Sequence, residues 1–333
     1  MSAAGRTFAS WATASRYTAV LTLLVGIAAY FAAAEGNKFL SHANIENLLA
    51  SVSILWVVSM GMTFAVLTGG IDLSVGAMVA LSGLVLAKLY AGLGTPALLA
   101  VVLTVLLGAL IGGAVNGMLI GRAGLSFFVV TLGSASLFQG FVSIWSQTKT
   151  TYINSSLVDG IGFGSAFGIV TPIWIMLTIF VLAFAVLRWT YFGRDVYAVG
   201  GNVDAARLSG IDVTRTLVVV YAIVGLCAAL GGVIEAGRLG ASSPIVGADL
   251  PLSAAAAVLL GGTSFLGGIG GVTGTAVGVL FIGTLQNGLA IRGVSSFWQQ
   301  VVTGAILIFA VGIDRLQQNP AGLRIRRSRE ETA

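Results

Sequence analysis

Few side chains in this sequence can do chemistry, and nearly all of them are set in apolar surroundings. Asp72 lies in "TGGIDLSVG", Thr68 to Gly76, straight after more than twenty uncharged residues and straight before another apolar run. A carboxylate there has two uses. It can accept the free amide of Ser74 or Val75 and cap the next helix, or it can line and gate a pathway across a membrane. Counted along a helix from Leu48, Gly69 and Gly70 come after about 33 Å, so the capping use sets Asp72 at a cytoplasmic edge, away from the costly bilayer centre. The other polar groups within apolar runs are mostly amides and hydroxyls, among them Asn116, Thr131, Gln139, Gln286 and Asn287. Amides can hydrogen-bond a neutral polyhydroxylated solute, or tie helices to one another. Asp72, Asn116, Gln139, Gln286 and Asn287 are therefore candidate pathway residues.

Catalytic and metal chemistry find little support. His42 stands alone in a short loop and Cys227 alone in an apolar run, so neither a triad, a cysteine metal site nor a disulfide framework is expected. None of the lysines Lys38, Lys88 and Lys149 follows a glycine, which excludes the phosphate-binding GxxxxGK[ST] loop. ATP hydrolysis through that motif is not expected of this chain, and neither is a cofactor of its own.

The elements that hold these residues follow from composition. Of 333 residues 57% are hydrophobic and 9% charged, with a mean hydropathy of +0.99, against roughly 25% charged in soluble proteins. An all-α polytopic membrane protein is expected. Breaking the chain at charges gives uncharged spans from Tyr17, Leu48, Leu73, Leu89, Ala123, Gly160, Thr216, Leu250 and Gly293. The stretch Leu250 to Ile291 would run about 63 Å as one helix, twice the hydrocarbon thickness, and must be two. Ten helices with both termini cytoplasmic result. That orientation puts twelve of the seventeen basic residues inside, as the positive-inside rule asks. An uncleaved first helix fits the long Tyr17 to Ala34 run better than a signal peptide. The basic residues are scattered over short loops, so nucleic acid is not an expected partner; the tail "RIRRSRE" suits anionic membrane lipid.

The domain reading is a cytoplasmic N-terminal segment at 1–16, a transmembrane domain at 17–314 with a cytoplasmic loop at 189–215, and a basic cytoplasmic tail at 315–333. Glycine, at 46 residues, predicts close helix packing in runs such as "GALIGGAVNG". "AVLTGGIDLSVG" from Ala65 and "AVLLGGTSFLGG" from Ala257 agree at six of twelve positions, which suggests a two-fold internal repeat.

The loop "YFGRDVYAVGGNVDAARLSGIDVTR", Tyr191 to Arg215, carries three arginines and three aspartates. Between Gly201 and Gly210 a short amphipathic helix is expected outside the membrane, capped by Asn202 and ended by Gly210. Asp204, Ala205, Ala206 and Gly210 resemble the "EAA...G" loop by which ABC importer permeases dock onto their ATPase, with aspartate for glutamate and without the later I-x-L-P. With "MGMTFAVLTGGIDLSVG", "GRDVYAVGGNVDAARLSGI", "AAVLLGGTSFLGGIGG" and "LQNGLAIRGVSSFWQQVV", the chain is similar to the ribose-type sugar ABC importer permeases from about residue 45 to 315. The resemblance implies about ten helices and a dimer of like permease subunits, here a homodimer. It implies an ABC ATPase subunit with two nucleotide-binding cassettes, which holds ATP and Mg, and a periplasmic or lipid-anchored solute-binding protein. It implies import of a monosaccharide or related solute across a bacterial inner membrane. Arg194, Gly200, Gly201, Asn202, Asp204, Ala205, Ala206, Arg207 and Gly210 become the candidate ATPase-coupling loop. An autonomous secondary transporter or channel is the alternative, and it would favour paired buried carboxylates; a membrane scaffold without transport is a third reading.

Overall fold

The computed structural model describes residues 3–318, with side chains from 18 to 312. The basic tail expected at 315–333 lies outside the described residues from 319 onward, and so do the side chains of the N-terminal segment 1–16. Where lipid offers no hydrogen bonds, a spanning segment must satisfy its own backbone, and the apolar runs accordingly coil into helices. The first half contains α1 (Ala3–Glu35), α2 (Asn37–Leu40), α3 (His42–Leu67), α4 (Val75–Ala87), α5 (Ala97–Ile111), α6 (Met118–Gly121) and α7 (Phe127–Ser146). Then come α8 (Ser156–Phe163), α9 (Thr171–Trp189), α10 (Tyr191–Gly201), α11 (Val203–Leu208), α12 (Val213–Leu239), α13 (Leu250–Leu260), α14 (Val272–Ile291) and α15 (Ser296–Gln318). Among the described residues eight helices are long and apolar enough to cross a membrane, and Leu250–Leu260 and Ser296–Gly312 are shorter apolar helices beside them. The protein is all-α and polytopic.

Helix ends follow caps rather than charges. α3 starts at His42, not Leu48, because the Ser41 hydroxyl accepts the Asn44 amide at 3.2 Å. α12 runs to Leu239, taking Glu235 and Arg238 into its last turns. The long apolar stretch does divide, but unequally: α13 has 11 residues, about 16 Å and half of a hydrocarbon core. The chain before it dips into the bundle, so that a Cβ on Gly247 would lie 2.6 Å from the carbonyl oxygen of Gly76, in the first turn of α4.

α12 is the central helix, packed on α3, α4 and α5. Glycines set the distance. A Cβ on Gly225 would stand 2.2 Å from the Gly108 carbonyl oxygen, and one on Gly112 2.3 Å from that of Tyr221. At this crossing α5 widens into a π turn, Gly112–Gly117, which carries Asn116 inward. The run "GALIGGAVNG" is thus a packing surface, as its spacing suggests. Trp145, Trp174, Trp189 and Trp298 are exposed near helix ends, as in an aromatic belt. The strands are minimal: β1 (Thr151–Tyr152) pairs with β4 (Ala241–Ser242), and β2 (Ser165–Ala166) with β3 (Ile169–Val170).

Candidate functional site

Asp72 sits in a buried polar cluster. α3 ends in a left-handed Gly69 at φ 81°, where the Gly69 amide reaches Val66 and the Gly70 amide reaches Ala65, each at 2.9 Å, closing a Schellman motif. The chain then climbs back along α3, and the Asp72 amide lies 3.4 Å from the Met62 sulfur. Asp72 Oδ1 accepts the Ser74 amide at 2.8 Å and also the Ser74 hydroxyl. Asn116 Nδ2 donates to Asp72 Oδ2 at 3.0 Å and to Ser74 Oγ at 2.9 Å, while the Ser134 hydroxyl donates to Asn116 Oδ1 at 2.6 Å. The amide acceptance from Ser74 is present, but Asp72 does not cap α4: Ser74 itself is the N-cap and no side chain caps the helix. Asp72 is 1% exposed and level with Met62, about 7.5 Å back from the end of α3, so protein and not solvent surrounds it. Fixed donors and the N-terminus of α4 face this carboxylate in place of water.

The other amides divide by use. Gln139 donates to the Pro244 carbonyl at 2.8 Å, so α7 holds the segment that dips beside α4. Asn287 and Asn44 exchange donor and acceptor at 3.0 and 3.1 Å, which ties α14 to the start of α3. Gln286 reaches Thr303 at 3.4 Å and also lines a cavity of about 250 Å³.

The second glycine pair repeats the first. Gly262, at φ 88°, donates to Leu259 at 3.0 Å and the Thr263 amide to Val258 at 3.2 Å, the same motif one residue later than the sequence alignment suggests. The loop after the second turn meets the first: the Gly268 amide donates to the carbonyl of Leu67 at 2.9 Å. α10 closes the junction. A Cβ on Gly200 would fall 1.7 Å from the Leu67 oxygen and 2.6 Å from the Gly268 nitrogen, and the Tyr197 hydroxyl donates to the Gly270 carbonyl at 2.9 Å. Burial pushes the Tyr197 phenol above its ordinary value, against a smaller opposing pull from Arg188, so it stays a donor.

Beyond that seat, α10 and α11 form a hairpin. Asn202 caps α11 by accepting the Ala205 amide at 2.8 Å. Gly210, at φ 84°, ends it, with the Ile211 amide reaching Ala206 at 3.1 Å. Both caps match the sequence reading. Ala206 faces inward, buried with Val199 and Val213. Gly201, Asp204, Ala205 and Arg207 are exposed, Asp204 and Arg207 are 3.8 Å apart, and Arg194 lies over the Tyr191 ring at 4.1 Å. Leu208, 90% exposed, is the apolar tip. Sequence reasoning passed over Tyr197 and Leu208; an apolar residue directly before Ser-Gly in a charged loop is the signal that could have flagged the second.

Comparison with known proteins decides what these parts belong to. The profile of a family described as "Branched-chain amino acid transport system / permease component" matches residues 44–311. The chain belongs to this family. It is similar to the ribose import permease protein RbsC of Escherichia coli K12, 38% identical over 318 residues, covering 94% of this chain and 98% of that one. RbsC of Bacillus subtilis 168 is 44% identical over 287 residues, 84% of this chain and 86% of its own. The D-allose transport system permease protein AlsC of Escherichia coli K12 is 40% identical over 296 residues, 88% and 90% of the two chains. No solved structure matches the chain. The protein is a multi-pass transport permease subunit of the bacterial inner membrane and not an enzyme.

Proposed function

We propose that this permease imports a neutral monosaccharide, as the membrane subunit of an ABC importer. Relatives named for ribose and allose import support the solute class. Its family works with an ATPase and a solute-binding protein. The finer arrangement proposed here is a homodimer with both termini cytoplasmic, facing an ATPase subunit whose two cassettes hold ATP and Mg. The binding protein, periplasmic or lipid-anchored, delivers the solute and sets most of the specificity.

One observation supports the coupling role of the 189–215 loop above all others. α10 rests through Gly200 on the junction of Leu67 and Gly268, where the first glycine turn touches the loop that follows the second. A partner that pushes the hairpin therefore bears on both halves at once, which is the rigid-body bias that alternating access needs. Arg194, Asp204, Arg207 and the Leu208 tip form the face offered to the ATPase, while Gly200, Ala206 and Gly210 shape the hairpin. Asp72 and Asn116 tie the turn between α3 and α4 to the π turn after α5. The test is reconstitution with an ATPase and a binding protein: D-ribose uptake should require ATP on the cassette side. Uptake that persists without ATP and follows an ion gradient would favour a secondary transporter instead.

A further inference from the structure

Three charged side chains converge on the 250 Å³ cavity between α3, α4, α12, α13 and α14. Glu235 and Arg238 enter from α12, Asp249 and Ser253 from the start of α13, Ser51 from α3 and Gln286 from α14. Ile54, Leu55, Val79 and Leu250 supply the apolar part of the wall. Among the described residues no ion pair joins Glu235, Arg238 or Asp249. Arg238 reaches Ser51 Oγ with Nη2 at 3.1 Å, but its buried Nε has no partner, and the Asp249 side chain caps no amide of α13. Charges in a membrane-spanning bundle are costly unless they face polar matter. They are close enough to feel one another's charge, yet they stop short of pairing and face a common space.

We propose that this cavity is a transient binding site for the solute in passage, and that it selects a neutral polyol. The proposal rests on the sugar-importer reading above. At roughly 30 Å³ per water the space equals about eight waters, enough for a five- or six-carbon sugar with a little water left. Two carboxylates accept from sugar hydroxyls, the guanidinium donates, and Ser253 and Gln286 do either. The apolar wall suits the C–H face of a sugar ring. Two carboxylates against one guanidinium leave a net negative site, which repels phosphorylated sugars and sugar acids. Four of the lining residues belong to α12 and α13, on either side of the dipping segment, so the site changes shape when that segment moves.

The test uses the assembled transporter with the variant Ser51→Cys, at an exposed position on the cavity wall. The native thiol, Cys227, is buried and gives little background. D-ribose near ten times its half-protecting concentration should slow labelling by a small neutral thiol reagent about tenfold, while ribose 5-phosphate should not. Glu235→Gln and Gln286→Ala, with the complex still assembled, should each lower D-ribose uptake about tenfold. If the unaltered transporter imports D-ribose while labelling is unprotected and both variants import normally, the cavity proposal fails and the sugar reading survives. If the unaltered transporter imports no neutral monosaccharide, both fail.

Discussion

The amide of Gly268 donates to the carbonyl of Leu67 at 2.9 Å, joining two loops that the sequence separates by two hundred residues. Gly200 sits on that bond with no space for a side chain. In Gly200→Ala the new carbon must push α10 off its seat by about an ångström. Displacements of that order can cost about a hundredfold in a positioned system. Uptake should fall at least about tenfold while the ATPase still co-purifies. Wild-type uptake in this variant would separate the loop from the transport cycle.

Tyr197→Phe removes one hydrogen bond, to Gly270, worth about 1 kcal/mol. Uptake should drop severalfold, less than in Gly200→Ala. The phenol's affinity for its proton is raised in the folded state above the ordinary value near 10. Its stabilising bond is thus complete below pH 10 and lost only as the pH climbs past the raised value. Coupling should show no dependence on Tyr197 between pH 6 and about 9, which a comparison of the wild-type and Phe pH profiles measures.

Leu208 and Ala206 should behave oppositely, although two residues apart. Leu208 is exposed and supports no packing, so Leu208→Asp should leave protein level and melting temperature unchanged but abolish ATPase co-purification. Ala206 is buried against Val199 and Val213. Ala206→Arg should lower the protein level itself, because the charge has no partner there. Normal ATPase binding by Leu208→Asp would move the docking face elsewhere.

Asp72→Leu strands the Ser74 amide and hydroxyl and the Asn116 amide group. At about 1–3 kcal/mol for each unsatisfied group, the sum approaches the whole stability of a typical domain, about 5–15 kcal/mol. Little protein should accumulate in the membrane. Asp72→Asn keeps an acceptor for Ser74, and a rotated Asn116 amide can meet its new donor, so most of the protein should survive. Accumulated Asp72→Asn protein that has lost uptake would show that the charge itself serves transport.

Orientation is open to labelling, again against the buried Cys227. Cysteines at Ser41 and Asn154 should react with an impermeant reagent from outside intact cells, and one at Val203 should not. Labelling of the Val203 cysteine from outside would invert the proposed topology.

The membrane class, the glycine packing, the α11 caps and the division of Leu250–Ile291 are all legible in the sequence, since each rests on local composition or spacing. The burial of Asp72 is not. A residue count from Leu48 assumes that the chain leaves the membrane after Gly70, whereas it folds back beside Met62, and only the tertiary partners Asn116 and Ser134 make that return affordable. Charge-based boundaries miss the ends of α3 and α12 for a related reason: Glu235 and Arg238 remain helical because a polar cavity receives them. The inward turn of Ala206 depends on Val199 and Val213, which no local pattern connects to it.

The seat of Gly200 also bears on which lengths of chain this loop tolerates. Removing one residue from α10 would turn everything beyond it by about 100° and draw it back by 1.5 Å. Either Gly200 leaves the Leu67–Gly268 junction, or Leu208 swings away from the face it now occupies. Insertions and deletions between Tyr191 and Gly201 are therefore forbidden even where substitutions are harmless. α10 acts as a spacer of fixed gauge, and a foreign ATPase could be matched to this permease by altering its surface residues but not by altering its length.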